Sequence, residues 1–336
     1  MIKKIKYYIS KQTTPYTNLA IEEYLLNNVE QGECILYLWQ NRHTVVVGKN
    51  QNAMRECKVE DLARDGGFLV RRLSGGGAVF HDLGNLNFTF LVRKSDYDVN
   101  RQLDVILEAV RKLGIAAEKT GRNDITIDGK KFSGNAFYIA GDKCYHHGTI
   151  MVDVDKEMLS RYLNASAEKL ASKGVKSVKS RVINLAECAS EVTIEKVTEK
   201  LIEAFGEVYD LTPQASSNEA FDAGEIDKLT AKFSDWDWRF GRLASFGYEL
   251  GKRFEWGEIQ LHLDINDGKI ADAVVYTDAM DTQFAAAIPD ILMGRSFSWT
   301  AIAAAIDEME KSDAAAETMA EDIKKLILSG GDVNGR

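Results

Sequence analysis

The pattern of apolar and polar positions predicts short strands interspersed with amphipathic helices. Continuous apolar runs at 34–39 and 44–47 are typical of buried strands. Between 100 and 113 the apolar residues recur with the helical period, and Gly114 then supplies a stop signal. The same period predicts a second long helix over 194–209.

The N-terminal pattern predicts a strand over 5–9 followed by a helix. Asn18 is predicted to cap this helix, because an asparagine side chain can accept hydrogen bonds from the first free amides. Glu22 and Glu23 would then lie in the first turn, where negative charge is favourable.

The pattern changes after about residue 244. Strict alternation over 258–264 predicts a strand with one buried face, and 270–276 is predicted to be its return strand. Two alanine-rich segments, about 299–311 and 314–329, predict closing helices. We therefore place a domain boundary between residues 245 and 250.

The most informative stretch is RRLSGGGAVFHDLGNLN at 71–87. Apolar runs at 68–70 and 88–91 predict a strand on each side of it. Three adjacent glycines let backbone amides approach a ligand closely, and successive amides can form an anion-binding concavity. The guanidinium groups of Arg71 and Arg72 favour the same kind of ligand. The alternative is a flexible connector, which a bare triple glycine would also suit.

A second dense stretch, GRNDITIDGKKFSGNA, covers 121–136. Asp128 and Gly129 form a type I′ hairpin signal, so Lys131 is predicted near the start of the returning strand. A positive point charge there would suit phosphate chemistry, whereas a solvated lysine is the simpler alternative. Asp124 could hold a magnesium ion, which prefers carboxylates together with phosphate oxygens, or it could cap a loop.

Residues 165–184 form a basic segment, ASAEKLASKGVKSVKSRVIN, in which Glu168 is the one acidic residue. Gly174 and several serines disfavour a continuous helix here. A basic loop on an acidic protein would suit a polyphosphate ligand or an acidic partner. The alternative is a solvated surface loop.

Composition narrows the class of protein. The chain has 336 residues, which suggests two domains, and it is 45% apolar and 28% charged, as soluble globular proteins are. A net charge of −9 disfavours nucleic acid as the main partner. Four widely spaced cysteines, with no signal region or membrane span, predict a reducing cytoplasm and free thiols.

Several known motifs do not occur in the sequence, including a Walker loop, G-x-G-x-x-G, H-E-x-x-H and G-x-S-x-G. Cys144, His146 and His147 do not make a zinc set, because adjacent histidines on a strand point to opposite faces. A nucleophilic Cys144 beside a histidine base stays open. The remaining features favour a nucleotide whose phosphate is attacked, with charge neutralised by Arg72 and Lys131.

These motifs resemble those of the lipoate–protein ligase A family. RRLSGGGAVFHDLGN at 71–85 resembles its R-R-x-S-G-G-G-A-V-[FY]-H-D-x-G-N signature. GRND at 121–124 and KFSGNA at 131–136 resemble its G-R-N-D and K-x-S-G-x-A motifs. HHGTI is similar to its H-H-G-T-L strand, and 173–185 to its adenylate-binding loop. With 236–263, which is similar to the two-domain members, the resemblance covers nearly the whole chain in order.

The resemblance implies an α+β fold like that of biotinyl and lipoyl protein ligases: a mixed sheet with helices, plus a small α+β C-terminal domain. Residues 1–245 would form the catalytic domain that binds lipoate and ATP, and 250–336 an accessory domain. The implied enzyme is an ATP-dependent lipoate–protein ligase that makes lipoyl-AMP, or octanoyl-AMP, and passes the acyl group to a carrier lysine. ATP and Mg²⁺ are the implied cofactors, and lipoate is the substrate.

Site residues are carried over by position. Lys131 matches the catalytic lysine that touches the lipoate carboxylate and the adenylate phosphate. The expected ATP-binding residues are Arg72, Gly77, Ala78, Val79, Phe80 and Lys131. The expected lipoate-binding residues are Ser74, Gly75, Gly76, His81 and Lys131. The expected adenylate-loop residues are Lys179, Ser180 and Arg181. Asp124 stays the candidate metal ligand on chemical grounds.

The expected partners are lipoyl carrier domains, namely the E2 subunits of 2-oxoacid dehydrogenases and the H protein of glycine cleavage. We expect a cytoplasmic monomer that binds neither nucleic acid nor membrane. Three other functions stay open: a cysteine-dependent octanoyltransferase between carrier proteins, a non-catalytic lipoate or nucleotide binder, and a biotin ligase. The last is disfavoured because the glycine-arginine-glycine-arginine loop of those enzymes is missing from the sequence.

Overall fold

The structure is a computed structural model, and it describes residues 1–120, 124–164, 181–216, 221–241 and 247–329. The strands in these ranges are β1 Lys4–Ile9, β2 Glu33–Trp39, β3 Thr44–Val47, β4 Phe68–Arg71, β5 Val79–His81, β6 Asn85–Arg93, β7 Glu118–Thr120, β8 Asp124–Ile127, β9 Lys130–Ala140, β10 Lys143–Met151, β11 Gln214–Ala215, β12 Tyr248–Phe254, β13 Gly257–Asn266 and β14 Lys269–Thr277. The α-helices are Pro15–Asn28, Ala53–Glu56, Val59–Arg64, Val99–Lys112, Lys156–Tyr162, Ile194–Tyr209, Ala223–Ser234, Trp236–Phe240, Thr282–Leu292, Trp299–Asp307 and Ala314–Leu328.

The chain divides into two compact units. The first unit comprises residues 1–46, 55–71 and 78–239, and the second comprises 47–54, 72–77 and 240–336. A single cut in the sequence therefore does not separate them. Two short segments, 47–54 at the end of β3 and 72–77 after β4, belong with the C-terminal part of the chain.

The first unit is built on an eight-stranded mixed sheet of order β11-β1-β2-β6-β10-β9-β8-β7. β1 runs parallel to β2 and β11, whereas the other pairs are antiparallel. Helices 99–112 and 194–209 pack against one face, and helix 15–28 contacts the strands β2, β6 and β10. A smaller sheet, β4-β3-β5, leads into and out of the glycine-rich stretch.

The second unit contains the antiparallel sheet β12-β13-β14 and three helices, 282–292, 299–307 and 314–328. Alternate residues of β13, Ile259, Leu261 and Leu263, are buried in its core, as their spacing predicts. The predicted fold class, a large mixed sheet with helices plus a small C-terminal α+β domain, is confirmed.

Two local predictions are wrong or incomplete. The first helix begins at Pro15, with Thr14 rather than Asn18 as its cap residue. The Asn18 side chain is buried instead, and its Nδ2 donates to the Gln40 carbonyl at 2.8 Å and to Asn41 Oδ1 at 3.0 Å. The pattern also did not predict the helices at 156–162, 223–234 and 282–292. Over the described ranges, no helix is both long and apolar enough to span a bilayer.

Candidate active site

The segment Arg72–Gly77 forms a loop, and the Arg72 side chain bridges it by hydrogen bonds to the residues that follow. Its guanidinium Nε donates to Ser74 Oγ at 3.0 Å, and Nη2 donates to the carbonyls of Gly75 at 2.7 Å and Gly77 at 2.8 Å. Arg72 keeps only 6% of its surface exposed. Because the guanidinium is a rigid fork of donors, these bonds fix the curvature of the loop. The loop has a defined path and is more than a flexible connector.

Glycine is required in this loop because other backbone lies against it. A Cβ atom at Gly75 would overlap the Ala279 carbonyl oxygen and lie 2.9 Å from Met280 Cα. Gly76 has φ +88°, a conformation that side-chain-bearing residues rarely adopt, and its N–H donates to the Ala279 carbonyl at 3.4 Å. The loop is therefore packed against the segment that follows β14, within the second unit.

The residues after the loop belong to the first unit, where β5 pairs antiparallel with β3. Phe80 is buried, with its ring centroid 5.6 Å from that of His43 and 5.7 Å from that of Tyr162. His81 is also buried, and its Nδ1 lies 3.3 Å from Asn41 Nδ2. Of the expected ligand-binding residues in β5, Phe80 and His81 are thus held by packing, while Val79 is half-buried.

Lys131 lies where the hairpin signal predicts, at the second residue of β9. The turn residues Asp128 and Gly129 have φ of +49° and +74°, as a type I′ turn requires. The Lys131 ammonium is 2.6 Å from Asp124 Oδ1, and Arg181 Nη2 donates to Asp124 Oδ2 at 2.8 Å. One carboxylate on β8 therefore holds two cationic side chains.

Two further contacts shape the surroundings of Lys131. A Cβ atom at Gly134 would lie 2.6 Å from the Lys131 ammonium, so glycine leaves the space that this group occupies. The Ile183 N–H donates to the Lys131 carbonyl at 3.0 Å, and Val182 pairs with Lys131 in a parallel bridge. The chain just after Arg181 is thereby fixed to the strand that carries the lysine.

Two expected site residues of the adenylate loop, Lys179 and Ser180, lie outside the described residues. Among the others, the structure brings Asp124, Lys131 and Arg181 together in the first unit. It brings Arg72, Ser74 and the three glycines together in the second unit.

The two adjacent histidines of β10 point to opposite faces, as expected. His147 Nδ1 lies 2.8 Å from Glu22 Oε1, which also accepts from Thr89 Oγ1 at 2.7 Å. Trp39 Nε1 donates to Thr89 Oγ1 at 3.1 Å. All four side chains are buried, so a polar network crosses this face of the main sheet. Sequence reasoning missed it because Glu22 and Thr89 carry no local signal.

On the other face, the His146 imidazole is fully buried between Gln102 Oε1 at 3.1 Å and Asn135 Oδ1 at 2.8 Å. Burial, with a smaller contribution from His147, lowers the pKa of His146 to about 3. A neutral imidazole has one N–H and one acceptor nitrogen, so one of these amides must present its N–H to the ring.

The buried His146 predicts a stability loss in mild acid. Because its folded pKa lies below the ordinary 6.5, the unfolded chain binds the proton first as the pH falls. The contribution of the neutral His146 imidazole to the free energy of unfolding is fully present above about pH 6.5 and is lost progressively toward pH 3. About 2 kcal/mol of it is lost by pH 5. Denaturant unfolding at pH 7 and pH 5 should show a smaller loss for His146→Gln than for the wild type. Equal losses in the two proteins would contradict this account.

Cys144 is fully buried in the hydrophobic core of the first unit. Burial raises the pKa of its thiol, which disfavours the thiolate that a nucleophile requires. His146 shares its face of the strand but is occupied by Gln102 and Asn135. The geometry does not favour an acyl-cysteine intermediate here.

The surroundings of Asp124 do not suit a metal ion. Its two carboxylate oxygens face the Lys131 ammonium and the Arg181 guanidinium, and these positive charges would repel a divalent cation at the same oxygens. Among the residues that the structure describes, no group of three or more His, Cys, Asp or Glu side chains is placed to hold a metal ion.

Comparisons with known proteins agree with the fold. The family model described as the lipoyl protein ligase A/B catalytic domain matches residues 14–206, and that of the bacterial lipoate protein ligase C-terminus matches residues 244–327. Lipoate-protein ligase A of Psychrobacter cryohalolentis is 38% identical over 340 residues, which cover 99% of this chain and 100% of that protein.

Solved structures are similar over comparable lengths. P. falciparum LipL1 in complex with lipoate has a TM-score of 0.85 at 29% identity, covering 97% of this chain and 99% of that one. A bipartite lipoate protein ligase, described with its E2 lipoyl domain from Thermoplasma acidophilum, has a TM-score of 0.62 at 26% identity, covering 73% and 99%. The predicted resemblance is confirmed, and the chain belongs to the lipoate-protein ligase A family.

Proposed function

We propose that the chain ligates lipoate, or octanoate, to a lysine of lipoyl carrier domains in two ATP-dependent steps. In the first step a carboxylate oxygen attacks the α-phosphorus of ATP, the bond to the bridging oxygen breaks, and pyrophosphate leaves. In the second step the carrier lysine amine attacks the acyl carbon, AMP leaves with the bonding electrons, and the amine loses a proton. The observation that carries this proposal is the match of both domains, in order, to lipoate ligase families.

Lys131 is assigned the central role in the first step. Lipoate and ATP are both anions, and an ammonium between them reduces their repulsion and stabilises charge on the transferring phosphoryl group. Its 24% side-chain exposure leaves it accessible, while Asp124 limits its motion.

The remaining expected roles are proposed as the family resemblance gives them. The proposed ATP-binding residues are Arg72, Gly77, Ala78, Val79, Phe80 and Lys131. The proposed lipoate-binding residues are Ser74, Gly75, Gly76, His81 and Lys131. The proposed adenylate-loop residues are Lys179, Ser180 and Arg181. We assign catalysis to residues 1–245 and an accessory role to 250–336.

Mg²⁺ is proposed as the companion of ATP, held mainly by phosphate oxygens and water. When bound, it would neutralise charge on the leaving pyrophosphate. Asp124 would join its ligands only after Lys131 and Arg181 had left the carboxylate.

The proposed acceptors are lipoyl domains of 2-oxoacid dehydrogenase E2 subunits and the glycine-cleavage H protein. A relative from T. acidophilum is described together with its E2 lipoyl domain, which supports this class of partner. We propose a cytoplasmic monomer, in keeping with four cysteines that are all free thiols.

The experiment is incubation with ATP, Mg²⁺, lipoate and an apo carrier domain, followed by intact mass measurement of the carrier. We expect one lipoyl group to be added, only when ATP and lipoate are both present. Addition without ATP, from an acylated carrier protein, would indicate a transferase instead.

Replacing Cys144 by alanine separates the ligase from a cysteine-dependent transferase. We expect Cys144→Ala to keep ligation within about twofold of the wild type, because the thiol is buried in the core. Cys34→Ala is the matched control, since Cys34 lies in the same core and both cysteines pair with Val92. Loss of acyl transfer in Cys144→Ala alone, with both variants folded, would favour the transferase.

A further inference from the structure

We infer that Asp124 is a positioning residue for adenylation: it holds Lys131 and Arg181 at one place and so presents two cations to the incoming anions. This inference rests on the proposed role of Lys131. The two contacts, 2.6 Å and 2.8 Å, use different oxygens of the same carboxylate, so neither cation displaces the other.

The cluster of Asp124, Lys131 and Arg181 is only partly shielded from water. Its side chains keep 15%, 24% and 25% of their surface exposed. The three formal charges sum to +1, so the cluster retains a net attraction for a further anion. A carboxylate or phosphate of the substrates is the chemical class that such a cluster would take.

The backbone fixes the three members of this cluster from three separate segments of the chain, two of which are strands. Asp124 begins β8, Lys131 is near the start of β9, and Arg181 is one residue before the bridge that Val182 makes with Lys131. The space at Gly134 accommodates the lysine ammonium. The cations are consequently held in place before any substrate arrives, which lowers the cost of ordering them in the transition state.

The Asp124 carboxylate also competes with the substrate anions for both cations. Removing its charge while keeping its shape, as in Asp124→Asn, frees the lysine side chain to adopt other rotamers. Ground-state attraction for lipoate is then kept or increased, but the ammonium is no longer held at the reacting atoms. We expect kcat for lipoate-dependent pyrophosphate release to fall about 10- to 100-fold, with KM for lipoate unchanged or lower. Asp124→Glu should restore part of kcat.

The matched control is Asp104→Asn. Asp104 forms a comparable ion pair with Lys119, at 2.8 Å, on the surface of the same unit. The Asp104→Asn substitution should leave kcat and KM at wild-type values. The activity of the wild type and of Asp104→Asn tests the proposed function. The activity of Asp124→Asn tests only the positioning role, so the proposed function and the positioning role can fail separately.

Chemical labelling of the lysine amines tests the inference without an activity measurement. Trace labelling with acetic anhydride, followed by peptide mass spectrometry, measures how available each lysine amine is. Lys131 should label about fivefold faster in Asp124→Asn than in the wild type, and Lys119 should respond in the same way only to Asp104→Asn. Equal labelling of Lys131 in the wild type and Asp124→Asn would overturn the inference. So would an Asp124→Asn activity loss that raised Mg²⁺ restores, because that result would make Asp124 a metal ligand.

Discussion

Lys131→Ala should lower lipoate-dependent pyrophosphate release by about 100- to 1000-fold and leave the fold intact. The activity loss follows from removing a preorganised positive charge from between two anions. The fold should survive because the Lys131 ion pair is partly exposed and Asp124 keeps its bond to Arg181, so no buried charge is left unpaired. Pyrophosphate release and thermal unfolding are the two measurements.

Lys119→Ala is the control for this substitution. Lys119 also pairs with an aspartate on the first unit and is 33% exposed, but no motif includes it. It should keep full activity. Undiminished pyrophosphate release by folded Lys131→Ala would remove the lysine from the proposed mechanism.

Gly75→Ala should destabilise the second unit and weaken lipoate binding. The added Cβ would meet main-chain atoms of Ala279 and Met280, which cannot move aside as a flexible side chain could. Overpacking of this kind costs about 1–3 kcal/mol. Thermal unfolding and calorimetric lipoate binding should both register the change.

Gly251→Ala is the matched control within the same unit. A Cβ atom at Gly251, in β12, would have its nearest neighbours at 3.5 Å, an ordinary contact distance. We expect its unfolding midpoint to stay near that of the wild type. If Gly75→Ala unfolds at the same temperature as Gly251→Ala, the close packing of the glycine loop on the segment after β14 is not present in solution.

Local signals in the sequence predicted much of this arrangement. The Asp128–Gly129 turn fixed the position of Lys131, because two residues with positive φ leave little choice of hairpin. Alternation in β13 and the helical period over 194–209 predicted both elements, since burial of one face determines the spacing of apolar residues.

Other features depend on residues far apart in the chain, and no local pattern could predict them. Asn18 looked like a helix cap, yet its amide is committed to Gln40 and Asn41 across the first unit. Glu22 reaches Thr89 and His147 over separations of 67 and 125 residues. The helix at 282–292 was missed because Pro289 lies inside it, and proline is normally a helix-breaking signal.

The pairing of Asp124 with both Lys131 and Arg181 is another long-range feature. The sequence favoured either a metal ligand or a loop cap at Asp124, because the residues near it in the chain carry no signal for a contact with a distant arginine. In the structure Arg181 comes from 57 residues further along the chain. The chemistry of the residue therefore depends on a contact that folding creates.

In the proposed mechanism the enzyme activates lipoate by adenylation before any carrier protein takes part. The most direct measurement mixes enzyme, lipoate, ATP and Mg²⁺ without a carrier domain and follows pyrophosphate and lipoyl-AMP in a single turnover. We predict a burst of about one pyrophosphate per enzyme, matched by enzyme-bound lipoyl-AMP that a later addition of apo carrier converts to AMP and lipoylated protein. A carrier that becomes lipoylated without any lipoate-dependent burst of pyrophosphate would contradict the account.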